Sequence, residues 1–253
     1  MFHIIIPARL QSTRLPRKML LDLGGIPMIV RTAQRAMLSN PSSLTVATDS
    51  EEIFNICQSY KINCLMTRES HSSGSERLSE AVEKLGFSDC EVVVNVQGDE
   101  PFIDPEIISS LADILTESTH CSIATCGAPF SDGYDFIDPN NVKVIFNKNF
   151  EALYFSRAPI PWNRSKWVDV ASVTPDISSC ALHHIGIYAY KVSYLKEFKT
   201  LEPSELETVE SLEQLRALYH GHKIKVLEWR KHCHKGIDTQ EDLEKARQII
   251  CNL

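Results

Sequence analysis

The sequence has no apolar run long enough to cross a membrane as a helix. Its longest runs, such as residues 2–6 and 92–96, are strand-sized, against the ~18 residues a span needs. It has no excess of positive charge: 26 Lys+Arg against 33 Asp+Glu leave a net charge of −7, which argues against a protein that coats nucleic acid. Its 8 cysteines, at 57, 64, 90, 121, 126, 180, 233 and 251, form no Cys-x-x-Cys pair, so most read as buried thiols rather than a disulfide or zinc framework. His232-Cys233-His234 groups three metal-binding side chains, yet adjacent residues of a regular element do not point at one ion. No basic segment precedes the first apolar stretch and no small-residue cleavage site follows it, so the expected setting is a reducing cytoplasm. There is no internal repeat and no low-complexity tract. What is present is enough apolar material, 43% of 253 residues, to build a sizeable core, which excludes disorder and fits one domain over 1–253.

Strand and helix patterns alternate through the first half, the habit of a mostly parallel sheet covered by helices. Strands are expected at 2–6, 44–47, 63–66 and 92–96, and helices at 27–38, 51–60, 76–85 and 105–115. The 92–96 strand, with three consecutive valines, fits a central position covered on both faces. After residue 120 the strands 122–126, 142–146 and 152–156 are separated by turns rather than long helices, which predicts added antiparallel or mixed strands. Residues 159–179 carry three prolines and two tryptophans with little periodicity, an irregular excursion suited to an oligomer contact or a lid. A strand follows at 184–191. From Ser204, the spacing Leu206, Val209, Leu212, Leu215, Leu218 predicts one helix stopped by Gly221. A strand at 224–227 and a helix at 241–250 capped by Thr239 complete the chain.

Three segments carry chemistry. The first strand runs into a loop with four cations in ten residues, Arg9, Arg14, Arg17 and Lys18. Cations just after a strand of an open α/β sheet sit where a polyphosphate would bind, although the loop is neither a Walker loop nor a Gly-x-Gly-x-x-Gly turn, and a solvated basic loop is an equal reading. The strand at 92–96 ends in Gln97-Gly98-Asp99-Glu100, where Asp99 is suited to a hard cation; Asp238, in Gly236-Ile237-Asp238-Thr239, is a second carboxylate that taken alone reads as a helix cap. His71-Ser72-Ser73-Gly74-Ser75-Glu76-Arg77 opens a helix whose free backbone amides could receive a polar ligand group, the alternative being Ser73 or Ser75 as a cap and Arg77 as a surface cation.

Taken in order, Ile6-Pro7-Ala8-Arg9 … Ser12-Thr13-Arg14-Leu15-Pro16 … Lys18, Ser73-Gly74-Ser75-Glu76-Arg77-Leu78 and Asn95-Val96-Gln97-Gly98-Asp99-Glu100-Pro101 resemble the 3-deoxy-manno-octulosonate cytidylyltransferases. The resemblance continues through Asn141-Val142-Lys143-Val144, 152–162, His184-Ile185-Gly186-Ile187-Tyr188, Leu206-Glu207 … Glu210 … Gln214 and Gly236-Ile237-Asp238-Thr239, nearly the whole chain. It implies a nucleotide-diphospho-sugar transferase-like α/β three-layer sandwich with a mixed, mostly parallel central sheet, a homodimer, and transfer of CMP from CTP to 3-deoxy-D-manno-octulosonate (Kdo) for lipopolysaccharide biosynthesis. The nucleotide set it implies is Pro7, Ala8, Arg9, Ser12, Arg14, Lys18, Ser73, Arg77 and Asp99. Asp99 and Asp238 would hold Mg²⁺, and with Arg9 and Lys18 form the catalytic set. The sugar set is Gln97, Arg157, His184, Tyr188, Glu210 and Gln214, with Glu210 and Gln214 four apart on one helical face. No nucleic acid or membrane partner is implied.

Four positions depart from the family pattern: Arg17 stands at a usual glycine, Ser75 at a threonine, His183 at a frequent arginine and Gln240 at a proline. Arg17 therefore either stiffens the loop or joins the phosphate site. The rival readings are a cytidylyltransferase for another acidic sugar, such as an 8-amino Kdo analogue or a sialic acid, and a CTP-binding regulator without turnover.

Overall fold

The structure is a computed structural model that describes every residue except 13, 72, 131–132, 174–179, 232–235 and 252–253, with the backbone alone at 133–134. The His232-Cys233-His234 grouping and the end of the 159–179 excursion lie outside the described residues. In chain order the elements are β1 (Phe2–Ala8), a 3-10 turn (Lys18–Leu20), α1 (Met28–Met37), β2 (Ser43–Thr48), α2 (Glu51–Ser59), β3 (Cys64–Met66), α3 (Gly74–Leu85), β4 (Val92–Asn95) and α4 (Pro105–Glu117). There follow β5 (Ile123–Ala128), α5 (Gly133–Ile137), β6 (Lys143–Phe146), β7 (Ala152–Ser156), a second 3-10 turn (Val170–Ser172), β8 (Ala181–Lys191) and α6 (Val192–Phe198). The chain ends with α7 (Glu205–Glu210), α8 (Gln214–Tyr219), β9 (Ile224–Glu228) and α9 (Gln240–Cys251). Among the described residues no helix is long and apolar enough to cross a membrane.

The chain forms two compact units, one of Met1–Ala112, Tyr190–Lys199 and His232–Leu253, the other of Asp113–Ala189 and Thr200–Lys231. In the first, the strands run in the order β3-β2-β1-β4 and every pairing is parallel. Ile4, Ile5, Ile6, Val92, Val93 and Val94 are buried, as expected of central strands covered on both faces. The registers Ala8↔Thr48, Thr48↔Met66 and Ile5↔Asn95 bring the carboxyl ends of all four strands to one edge. The segments beginning at Arg9, Asp49, Thr67 and Val96 therefore leave the sheet together, at the edge where open α/β sheets bind ligands.

Beneath the cationic loop lies a core of Leu15, Leu23, Met28, Ile237, Leu243 and Ala246, joined by Leu21, Phe102 and Ile250. Burying Leu15 and Ile237 in one cluster fixes the loop and the segment before α9 to the same floor. α9 begins with a reciprocal cap: Asp242 N donates to Thr239 Oγ1 at 3.2 Å, and Thr239 N donates to Asp242 Oδ2 at 2.9 Å. This box supplies the helix start that proline at 240 would otherwise preorganise.

In the second unit β8, β5 and β9 are neighbours, with β5 and β9 parallel, while β6 pairs antiparallel with both β7 and β8. The expected mixed strands after residue 120 are thus present. The 159–179 excursion is anchored where described: Trp167 is buried against Phe136, with ring centroids 5.9 Å apart, and packs with Ala181, Phe130, Ile145 and Val173. The single helix expected from Ser204 is two helices. Ser211 takes a left-handed backbone with φ 51° between α7 and α8, so Glu210 and Gln214 do not share a helical face. Leu212 and Leu215 are buried, but Leu206 and Val209 are 44% and 76% exposed. Gly221, at φ +83°, does end α8.

Candidate active site

Lys18 stands at the centre of the carboxyl-edge cluster. The residue is 7% exposed, and its ammonium donates to Asp99 Oδ2 at 2.5 Å and to Asp238 Oδ1 at 2.9 Å. Arg14 Nη2 lies 3.1 Å from Asp238 Oδ2. Burial works to lower the Lys18 pKa, but the hydrogen bonds and charges of Asp99 and Asp238 outweigh it and hold the ammonium above its ordinary value. The sequence-remote partners are brought together by backbone: Ile237 N donates to Asp99 O at 2.9 Å. Thr32 Oγ1 on α1 donates to Gly98 O at 2.9 Å and pins the turn after β4. A Cβ on Gly98 would stand 2.8 Å from Met19 Sδ, so glycine lets the turn approach the loop closely.

Glu100, next to Asp99, is displaced from the ordinary carboxylate range. Burial, with repulsion from Asp99, pushes the Glu100 carboxyl up to about 8. Among the described residues the buried Arg9 Nη2 has no hydrogen-bond partner, an orphaned donor that an anion would satisfy. Pro7 is half-buried and Ala8 buried at the end of β1, while Ser12 is half-buried in the loop.

Other expected nucleotide residues are engaged differently. Ser73 Oγ caps α3, accepting from Glu76 N at 3.3 Å, while Ser75 is buried. Arg77 is 0% exposed, and its Nη2 donates to Asp49 Oδ2 at 2.5 Å while Nη1 donates to Thr67 Oγ1. Asp49 and Thr67 follow β2 and β3 at the same sheet edge. Sequence reasoning missed both, although a carboxylate directly after a strand was the signal used for Asp99.

Arg17 does not join the phosphate cluster: its guanidinium pairs with Glu52 on α2. Its backbone is left-handed, φ 56° and ψ 27°, which accounts for the family's glycine there. Arg17→Gly relieves left-handed strain of ~1 kcal/mol and removes an exposed ion pair of ~0.2–1 kcal/mol. The expected outcome in urea unfolding is a stability change within about 1 kcal/mol, with turnover retained; a larger loss would mean the Glu52 pair organises the loop.

In the second unit, Glu210 at the end of α7 organises the start of the excursion. Its Oε1 accepts from Ser156 Oγ at 2.6 Å and its Oε2 from Arg157 N at 2.9 Å. The Arg157 guanidinium donates to Glu210 O at 2.7 Å, Pro139 O at 2.9 Å and Ser211 O at 3.5 Å. Lys143, 0% exposed, donates to the carbonyls of Asp138, Asn141 and Arg157 at 2.9, 2.8 and 2.7 Å. Lys143 and Ser156 are organising residues that composition and spacing did not single out. Gln214 is buried, and among the described residues its Nε2 has no hydrogen-bond partner. Gln97, in the first unit, is half-buried after β4.

His184 Nε2 lies 3.0 Å from Thr125 Oγ1, and its ring packs edge-on to Phe155 and Tyr188. The neighbouring His183 ring lies 5.6 Å from Phe130. Burial, with a smaller contribution from His183, lowers the His184 pKa to about 3, so the imidazole is neutral at physiological pH. The sign for stability follows. The unfolded chain takes up a proton below pH ~6.5 while the native chain resists until pH ~3, so stability contributed by neutral His184 falls through that interval, by at most ~1.4 kcal/mol per pH unit. Replacing His184 by Gln is expected to flatten the pH dependence of urea unfolding by up to one proton between pH 6 and 4; an unchanged slope would contradict the neutral assignment.

The family pattern described as Cytidylyltransferase matches residues 3–224. The 3-deoxy-manno-octulosonate cytidylyltransferase of Leptothrix cholodnii is 48% identical over 247 residues, covering 98% of this chain and 90% of that protein. Its namesake from Francisella tularensis subsp. novicida is 47% identical, covering 98% of each. A solved structure of CMP:2-keto-3-deoxy-manno-octonic acid synthetase complexed with CTP superposes with a TM-score of 0.88 at 35% identity, covering 100% of this chain and 99% of that one. A cytidylyltransferase from Leptospira borgpetersenii, at 19% identity and TM-score 0.61, covering 100% of this chain and 87% of its own, shares the fold. The parallel strands that deliver Arg9, Lys18 and Asp99 to one edge are thus the scaffold of a known group, and the chain belongs to the cytidylyltransferase family, alongside the 3-deoxy-manno-octulosonate cytidylyltransferases.

Proposed function

We propose that the chain transfers CMP from CTP to the anomeric hydroxyl of Kdo, releasing pyrophosphate, with Mg²⁺ as cofactor. The observation that carries this reading is the convergence of Asp99 and Asp238 on the Lys18 ammonium, beside Arg14 and in the same unit as the unpaired Arg9 Nη2. The residues fit the metal: two carboxylates reach one cationic nitrogen, so their oxygens already face a point that accepts positive charge. Both are hard oxygen donors, the kind Mg²⁺ takes alongside substrate phosphates. Asp99 and Asp238 would hold it, and when bound it would supply charge neutralisation and polarisation at the phosphoryl oxygens.

The chain's own residues do the rest. Arg9, Arg14 and Lys18 bind and neutralise the triphosphate. The anomeric oxygen forms a bond to the α-phosphorus as the bond from that phosphorus to the bridging oxygen breaks, pyrophosphate leaves, and the hydroxyl proton passes to solvent. Such a transfer asks little covalent chemistry of the protein and much positioning and electrostatic stabilisation. Arg157, His184, Tyr188, Glu210 and Gln214 of the second unit are assigned to sugar recognition. There the neutral His184 offers hydrogen bonding without charge, and Arg157 is the cation for the sugar carboxylate.

On the same reading the enzyme is a cytoplasmic homodimer that supplies lipopolysaccharide assembly. The exposure of Val168 at 92%, with Val170 and Trp162 also exposed in the excursion, supports a subunit contact there. The test is pyrophosphate release with CTP, Mg²⁺ and Kdo, an 8-amino analogue or N-acetylneuraminic acid, repeated with EDTA. Release with Kdo that EDTA abolishes is the expected result. Tight CTP binding without release from any of the three would overturn it, and release with another sugar alone would move the substrate assignment.

A further inference from the structure

Outside the site described above, the second unit holds a group of three side chains of different chemistry whose donor atoms converge. His120, Cys121 and Glu151 each present one donor, and these atoms lie within 4.8 Å of one another. We propose that they form a separate binding site for a borderline-soft divalent cation of the Zn²⁺ or Co²⁺ class. Imidazole, thiolate and carboxylate together suit such ions and disfavour Mg²⁺, which prefers oxygen alone.

The geometry is close to what such an ion needs. With metal–ligand bonds of ~2.0 Å to nitrogen and oxygen and ~2.3 Å to sulfur, a tetrahedral site spaces its donors roughly 3.3–3.6 Å apart. His120 Nε2 and Glu151 Oε1 are already 2.5 Å apart, sharing a hydrogen bond. Side-chain rotation alone can open that pair and draw the thiol in. His120 and Cys121 are adjacent, but they sit in the bend before β5 rather than in a regular element, so their side chains are able to converge.

The carboxylate is held in place by a second layer of contacts. Asn147 Nδ2 donates to Glu151 Oε2 at 2.9 Å, Glu151 N donates to Asn147 Oδ1 at 3.1 Å, and Glu151 bridges to Lys225 of β9. The Asn147 and His120 hydrogen bonds keep Glu151 ionised, with its pKa lowered to about 2. Lys223 Nζ, 3.5 Å from Glu151 Oε2, is a half-exposed ammonium on a flexible stem that a divalent ion would displace into water. The His120 side chain is 56% exposed, which provides an entry path and leaves a fourth position for water.

The test uses the full chain, stripped with EDTA, dialysed and titrated with Co²⁺ in excess Mg²⁺ so that carboxylate-only sites are filled. One equivalent of Co²⁺ should produce a near-ultraviolet thiolate-to-cobalt band with intense visible bands of tetrahedral cobalt, and Zn²⁺ should bleach both. Cys121→Ser should lose the thiolate band. Because Cys121 is buried, the exposed-ring variant His120→Ala is the second arm: it should keep the metal-free melting temperature and weaken Co²⁺ binding by about tenfold or more. Absence of a thiolate band, its survival in Cys121→Ser, or unchanged affinity in His120→Ala would each overturn the proposal.

Discussion

Replacing Asp99 by Asn is expected to lower kcat by about 10²–10³-fold while leaving the protein folded, the scale seen when one charge-stabilising group is removed from an active site. The side chain sits at the carboxyl edge, 21% exposed, so an amide is tolerated there. An amide oxygen still accepts from Lys18 Nζ, and Asp238 still pairs with that ammonium at 2.9 Å. The Asp99 carbonyl continues to accept from Ile237 N, so the segment carrying Asp238 keeps its anchor. What is lost is the carboxylate proposed to hold Mg²⁺, and burial holds the neighbouring Glu100 carboxyl well above the usual carboxylate range, so it is a poor substitute. Pyrophosphate release at saturating CTP and Kdo gives the loss, and a thermal melt within a few degrees of the parent shows that the fold survived. Turnover at the parental rate would remove Asp99 from the metal and catalytic sets together.

The second large effect concerns stability. Arg77→Leu is expected to cost ~3–5 kcal/mol, because it strands the partner of a buried ion pair. Arg77 is among the largest fully buried side chains, and with it go the donors to Asp49 Oδ2, Thr67 Oγ1 and, at 3.5 Å, Arg68 O. At 2–4 °C per kcal/mol for a chain near this size, the melting temperature should fall by roughly 10 °C. Adding Asp49→Asn should recover part of the loss, since an amide is less costly to bury unpaired than a carboxylate. Arg77→Lys, read through KM for CTP against kcat, separates a direct nucleotide contact from support of the sheet edge. A melting temperature for Arg77→Leu within a degree or two of the parent would refute the buried-pair account.

The parts legible in the sequence are those governed by local pattern. Valines 92–94 announced a central strand, and the alternation to residue 115 announced the parallel half, because hydrophobic period and strand burial are local consequences of the fold. The cationic loop and Asp99 could be placed at a ligand edge for the same reason. The pairing itself could not: Lys18 and Asp238 are 220 residues apart, and a helix cap was the better local reading of that aspartate. The helix expected from Ser204 failed because the leucine spacing runs unbroken through a left-handed Ser211. The break serves remote contacts, since Glu210 reaches Ser156 and Arg157 more than fifty residues earlier, and no local period encodes them. α6 was missed because a seven-residue helix directly after a strand has too little length to display a period of its own.

Lys18 gives the free protein an internal counter-ion for Asp99 and Asp238. If Asp99 and Asp238 hold Mg²⁺ as proposed, Lys18 would exchange its carboxylate partners for phosphate oxygens on nucleotide binding. The charge near the site changes less on complex formation than a count of Arg9, Arg14 and Lys18 implies. Affinity for the magnesium–CTP complex should accordingly depend only shallowly on ionic strength.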